Sequence, residues 1–312
     1  MVSPGIRRIF LTNLIFQVLI VLTGGIVRLS GSGLGCTTAP ECVPGSIVPL
    51  ADQNEGIYTA IEFSNRVFSV LVGFAAIAAV IAAWRSHRRA LLQLAGVPLI
   101  VTLAQGILGG ITVQTGLHPA IVMAHFLLSA ILIAASTLLY VRSKQPEGRP
   151  QVIVRREVWW LIWGLLASLV LVVVAGTITT GTGPHAGDAD NPPRFDFDLT
   201  FVTHLHAEVG IAFSVLALAV AVSLRLIDAP RRAREAAGWL MGAVVLQVTI
   251  GYMQVLSGLP IVLVALHMLA ASLLIVTTFM VFAEVRRVPI NRVSKTEVGK
   301  QDAIASVDAA HN

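Results

Sequence analysis

Apolar residues in this chain fall into long unbroken runs, unlike the alternating pattern of half-buried strands or the one-sided pattern of soluble helices. The runs cover residues 9 to 29, 59 to 84, 91 to 113, 119 to 142, 157 to 180, 199 to 225, 235 to 256 and 260 to 285. A hydrocarbon core about 30 Å thick takes roughly 20 apolar residues of helix to cross, and every run is of that order. Inside lipid a backbone must satisfy its own polar groups. The pattern therefore predicts an all-α integral membrane protein with eight transmembrane helices. The first run follows Arg7 and Arg8 and has the length of a full span, so it reads as a retained helix and not as a cleaved leader.

Composition agrees, with 55% hydrophobic residues, 12% charged residues and a mean hydropathy of +0.80, values that exclude an ordinary soluble domain. A net charge of +5 raises the question of a nucleic-acid partner, and the distribution of that charge answers it. Of the twenty-two Lys and Arg residues, only Arg28, Arg66 and Arg194 fall at the ends or loops opposite the other nineteen. By the positive-inside rule both termini are then cytoplasmic, and the loops after helices 1, 3, 5 and 7 face outward. The charge is a topology signal, with the lipid bilayer as the partner and no nucleic acid implied. Cys36 and Cys42 both lie in the first outer loop, where oxidation is permitted. A local disulfide is the favoured reading, with two free thiols or a transient redox pair as alternatives.

The chain also resembles itself. Gly24-Gly25-Ile26-Val27-Arg28 through Gly33 at the end of helix 1 matches Ala175-Gly176-Thr177-Ile178-Thr179 through Gly183 at the end of helix 5. Gln105 to Gly110 in helix 3 matches Gln247 to Tyr252 in helix 7, and Ala124-His125-Phe126-Leu127 matches Leu266-His267-Met268-Leu269. The chain thus reads as two parallel-repeat four-helix bundles. Residues 1–142 form an N-terminal half, 143–156 a cytoplasmic linker, 157–285 a C-terminal half and 286–312 a disordered cytoplasmic tail, polar from about Val288.

Ionisable groups within a membrane are costly and mark function by default. His125, His206 and His267 lie inside apolar runs, as do Glu62 and Arg66. His206 and His267 each sit about seven residues, roughly 10 Å of helical rise, from the outer end of their runs. Two imidazoles at one depth on separate helices can hold a porphyrin iron from both faces. In the first half His125 takes the place of His267, and Asn65 takes the place of His206. An amide is a poor iron ligand beside imidazole, so that site would have one protein ligand and an open face suited to oxygen chemistry. Glu62, Asn65 and Arg66 share a helical face. Glu62 is a candidate acid, base or proton relay, or the structural partner of Arg66; Arg66 also suits a haem propionate. His118, His185 and His204 read as surface or supporting residues, and His87 and His311 carry no motif. Asp188, Asp190, Asp196 and Asp198 read as a solvated acidic loop.

Together these residues resemble the haem A synthases of bacterial and mitochondrial membranes over roughly residues 9 to 285. The resemblance rests on the order and spacing of the Gly-Gly and Ser30-Gly31-Ser32-Gly33 segment, Cys36 and Cys42, Glu62 to Arg66, Gln105 to Gly110, and the histidines of helices 4, 6 and 8. It implies oxidation of the C8 methyl of haem O to the formyl group of haem A in a bacterial cell membrane. Haem O would come from a haem O synthase, and the product would serve terminal oxidase assembly. It also implies haem b held by His206 and His267, the substrate haem in the N-terminal half on His125, and an essential Glu62. The family's Glu-x-x-His-Arg is Glu62-Phe63-Ser64-Asn65-Arg66 here, and Ala207 follows His206 where an arginine is often found. A haem carrier that does not oxidise, a quinone-linked b-type cytochrome and a secondary transporter are the competing readings.

Overall fold

The structure is a computed structural model and describes residues 2–49, 56–188 and 192–288. Among these, eight helices are long and apolar enough to cross a membrane: α1 Pro4–Leu29, α2 Gly56–Arg85, α3 Arg89–Gln114, α4 Pro119–Ser143, α5 Arg156–Thr182, α6 Leu199–Leu226, α7 Arg231–Leu256 and α8 Ile261–Val285. The protein is a multi-pass membrane protein. Most boundaries follow the apolar runs within three residues, but α1 and α7 begin five and four residues earlier. Local chemistry extends both into polar sequence. At α1 the Ser3 side chain accepts from Ile6 N–H and Pro4 occupies the first turn, both strong start signals. At α7 helix starts directly after Pro230, and Arg231 pairs with Glu235 one turn on at 2.7 Å.

Helices α1 to α4 pack in a closed circuit, α1 on α2, α2 on α3, α3 on α4 and α4 on α1, and α5 to α8 do the same. The halves meet through α4 with α8, α1 with α8 and α4 with α5. Small residues allow close approach: α2 buries Ala76, Ala79, Ala82 and Ala83, and α7 buries Ala233, Ala236, Ala237 and Ala243. On α3 the outward positions are apolar instead, with Ile100, Leu103 and Ile107 all more than 60% exposed, as expected for a lipid-facing stripe.

The packed core lies toward the basic ends of the helices. In the second half it joins Val158 to Leu169 of α5, Phe213 to Leu224 of α6, Ala233 to Val244 of α7 and Leu274 to Val285 of α8. In the first half Phe10, Ala79, Ala82, Ala83, Leu91, Ala95 and Leu139 form its counterpart. All three intramembrane histidines lie toward the other end. At the basic end Gln151–Val152 forms a short strand, β1, antiparallel to Arg286–Arg287, β2. Two residues expected in a disordered tail are therefore paired, because α8 ends against the linker and its chain continues as a ladder; Ile153 N–H also bonds Val285 O at 3.0 Å. Residues 289–312, with His311, lie outside the described residues, as does Asp190.

Candidate haem sites at the histidine end of the bundle

His206 lies seven residues past the start of α6 and His267 six past the start of α8, so one turn of depth places both. Their ring centroids are 6.3 Å apart with the planes inclined by 76°. Two imidazoles on opposite sides of one metal, each at a bond of about 2 Å plus a ring radius of about 1 Å, stand about 6 Å apart. Glycines make the approach possible. A Cβ on Gly176 of α5 would come 2.9 Å from His206 Cε1, and one on Gly251 of α7 would come 3.2 Å from His267 Cε1. Gln247 Nε2 lies 3.0 Å from His267 Nε2, and the Nδ1 atoms of His206 and His267 are buried without a hydrogen-bond partner. For His267 one ring nitrogen is held by a neighbour and the other is unspent, the arrangement of a metal-ligating imidazole. The donor set fits a haem iron.

His125 lies six residues past the start of α4, the same offset as His267 in α8. Gly109 faces its Cε1, a Cβ there lying 3.6 Å away, and its Nδ1 is also buried and unpartnered. Gln105, the counterpart of Gln247, donates instead to His125 O at 2.9 Å and to Ser129 Oγ at 2.7 Å. It braces the helix and leaves the ring free. Asn65 is half-buried, and its Oδ1 accepts from Thr23 Oγ1 of α1 at 2.7 Å. The side chain standing in the histidine's place is thus oriented by a contact that sequence spacing does not reveal.

Glu62 is buried on α2 and occupied. Its Oε1 accepts from Arg66 Nη2 at 2.6 Å and Nε at 3.1 Å, and its Oε2 accepts from Cys36 N–H at 2.7 Å. Arg66 also donates to the carbonyls of Cys36, Thr38 and Glu41. Cys36 and Cys42 form a disulfide, and both are fully buried. Gly35 lets this loop lie directly on α2: a Cβ there would meet Thr59 N and Tyr58 C at 2.7 Å, and Thr59 Oγ1 donates to Gly35 O. The Glu62–Arg66 pair therefore clamps the cystine loop over the end of the first half opposite the basic end.

The remaining candidates separate. His185 Nε2 contacts Leu259 O at 3.0 Å, His118 caps the start of α4 and is exposed, and His87 is exposed in the turn between α2 and α3. Asp198 caps α6, accepting from Phe201 N–H at 2.6 Å, and Asp188 bridges to Ser32. Among the described residues no three His, Cys, Asp or Glu side chains converge as for a metal ion. His204 and Glu208 are exposed at a four-residue spacing on the outward face of α6. Glu208 is absent from the sequence-derived candidates, although a carboxylate inside an apolar run is itself a signal. Arg28, an ionisable residue inside the first apolar run, carries the same signal; Thr23 left none, because its partner is remote in sequence.

Residues 7–280 match the family model described as cytochrome oxidase assembly protein, COX15-CtaA. Among curated relatives, the chain is 38% identical over 134 residues to a Heme A synthase of Alkalihalophilus pseudofirmus, covering 42% of this chain and 43% of that one. It is 32% identical over 182 residues to a Heme A synthase of Halalkalibacterium halodurans, covering 56% and 59%. A Heme A synthase of Bacillus cereus is 27% identical over 272 residues, 83% of this chain and 86% of the relative. The matched segment thus spans about half the length of the first two relatives and most of the third. With the family model matched from Arg7 to Met280, the chain belongs to the COX15-CtaA family of cytochrome oxidase assembly proteins.

Proposed function

We propose that this protein acts as a haem A synthase, oxidising the C8 methyl group of haem O to the formyl group of haem A. The observation that carries the reading is the pairing of His206 with His267 at 6.3 Å, alongside a single half-buried His125 at the same depth in the other half. One closed and one open ligand set divides electron transfer from substrate chemistry. His206 and His267 would hold a resident haem b, which would supply one-electron transfer. His125 would hold the substrate haem O, with Asn65 a further residue of that pocket.

In this reading the residues around the substrate do the positioning. His125 anchors it, Gln105 stiffens the helix that carries His125, and the Glu62–Arg66 clamp holds the cystine loop over the site. Glu62 is the group available to hold or pass a proton, at Oε1 or Oε2. The two halves are parallel repeats, supported by their matching packing circuits and by the pairing of the α1 with α8 contact and its counterpart, α4 with α5. Both termini lie in the cytoplasm of a bacterial cell, supported by the excess of Lys and Arg in the segments before α1, between α2 and α3, between α4 and α5, between α6 and α7 and after α8. Haem O synthase and the terminal oxidase are the partners before and after the reaction.

A haem carrier without oxidation is the second reading, favoured by the full engagement of Glu62 in the loop clamp. Haem extracted from wild type and from Glu62→Gln, analysed by mass with reduced-minus-oxidised spectra, separates the two. Haem A or its hydroxylated precursor in wild type alone, with both haems retained in the variant, is the expected result. Only haem b or haem O in both proteins would sink the synthase.

A further inference from the structure

At the basic end of the bundle the first turns of α1 and the last turn of α4 leave a shallow cleft of about 190 Å³, lined by Pro4, Arg7, Arg8, Leu11, Tyr140 and Lys144. Three of these six carry positive charge, and none of the three belongs to an ion pair among the described residues. Arg7 Nε is buried with no hydrogen-bond partner, a state that costs free energy until an acceptor arrives. Lys144 Nζ sits 3.8 Å from the centre of the Tyr140 ring, which fixes the ammonium without neutralising it. Glu284 on α8, an acid at the same end, is engaged with Arg287 at 3.4 Å. The start of α1 adds its positive dipole end. Among the described residues no carboxylate lies within ion-pair distance of the three cations, and Glu284 acts on Lys144 only at longer range.

Its depth and its lower wall select the kind of anion. Arg7 and Arg8 immediately precede the apolar run, which puts the cleft at headgroup level. Below it Leu11, Ile15 and Leu19 follow at four-residue spacing on α1, with Ile15 46% and Leu19 36% exposed. An apolar stripe therefore leads from the cations into the hydrocarbon, of use to an acyl chain and of none to a soluble ion. Tyr140 lies fifteen residues along α4 from His125, roughly 22 Å at helical rise, so the cleft is separate from the haem sites. We propose that this cleft binds the phosphate headgroup of an anionic phospholipid, with one acyl chain along the Leu11, Ile15 and Leu19 stripe. Basic pockets between helices at this level bind such headgroups generally.

The full-length protein, stripped of lipid in neutral detergent, is titrated with phosphatidylglycerol or phosphatidylcholine and bound lipid is read by native mass spectrometry. Phosphatidylglycerol should be retained in preference. Arg7→Gln, Arg8→Gln and Lys144→Gln should each weaken it about five-fold, and the triple variant should lose the preference. Arg231→Gln, whose cation already pairs with Glu235, should leave it unchanged. Thermal unfolding and haem content verify folding, and Lys144→Gln alone keeps the test decisive if the triple variant does not fold. Equal retention of the two lipids, or an unchanged preference in Lys144→Gln, overturns the proposal. Displacement of phosphatidylglycerol by an equal concentration of inorganic phosphate overturns it in favour of a soluble anion.

Discussion

Asn65 accepts a hydrogen bond from Thr23 at 2.7 Å in the position where the second half carries His206. Replacing it returns the imidazole: Asn65→His should convert the first-half haem from an open to a two-histidine ligand set. The measurement is the low-spin signature in optical and electron paramagnetic resonance spectra, doubled relative to wild type, with haem A formation reduced. An unchanged spin state would mean that Asn65 does not face the iron. The glycines facing the histidines allow a graded test. Alanine at Gly176 must displace the His206 ring from 2.9 Å, alanine at Gly251 meets His267 at 3.2 Å, and alanine at Gly109 meets His125 at an ordinary 3.6 Å. Overpacking costs about 1–3 kcal/mol. Haem b occupancy should therefore fall about ten-fold or more in Gly176→Ala and less in Gly251→Ala, while Gly109→Ala keeps its haem. Gly24, with nothing within 4 Å of a Cβ, is the neutral control for changed helix propensity.

Helices of the first half are joined by polar side chains as well as by packing. Asn13 Nδ2 of α1 donates to Ser136 Oγ of α4 at 3.0 Å, both fully buried, while Asn13 Oδ1 has no partner. Interhelical hydrogen bonds in membranes contribute about 1 kcal/mol, and stranding a buried amide costs about 1–3 kcal/mol. Ser136→Ala should thus destabilise by about 2 kcal/mol, and Asn13→Leu added to it should recover part of the loss. Thermal unfolding in detergent checks the order; a double variant less stable than Ser136→Ala would count against it. Sequence analysis reaches this scale well for each helix taken singly. Hydropathy located all eight spans, and missed only the polar first turns of α1 and α7, which depend on Ser3, Pro4, Pro230 and the Arg231–Glu235 pair.

Across the whole molecule the two halves are tied where the histidines lie. Arg28 at the end of α1 donates to Thr180 O at 2.9 Å and His185 O at 2.8 Å, and Gly33 N–H bonds Gly187 O at 2.8 Å. The loop after α1 and the loop after α5 are thereby joined over the end of the bundle where the histidines lie. Hydrogen bonds from a charged group are worth about 1.5–3 kcal/mol each, so Arg28→Ala should lower the unfolding midpoint and speed proteolysis of the loop before α6. The Glu62–Arg66 clamp on the first loop should survive that change, since its partners are Cys36, Thr38 and Glu41. Equal protease resistance in Arg28→Ala would show that the loops hold their places independently.

By itself the sequence determined the number of helices, their length and the depth of each histidine. Those depend on one quantity, the transfer of each residue between water and hydrocarbon, summed along the chain. It also put Cys36 and Cys42 in one loop and favoured a disulfide between them, which the structure shows. Tertiary structure alone decided which side chains meet: His206 with His267, Gln247 with His267, Thr23 with Asn65, Arg28 with the loop after α5. The paired strands β1 and β2, joining residues more than a hundred positions apart, belong with these. The physical reason is that hydropathy measures position along the membrane normal, whereas lateral neighbours are set by small-residue packing and polar contacts between segments remote in the chain.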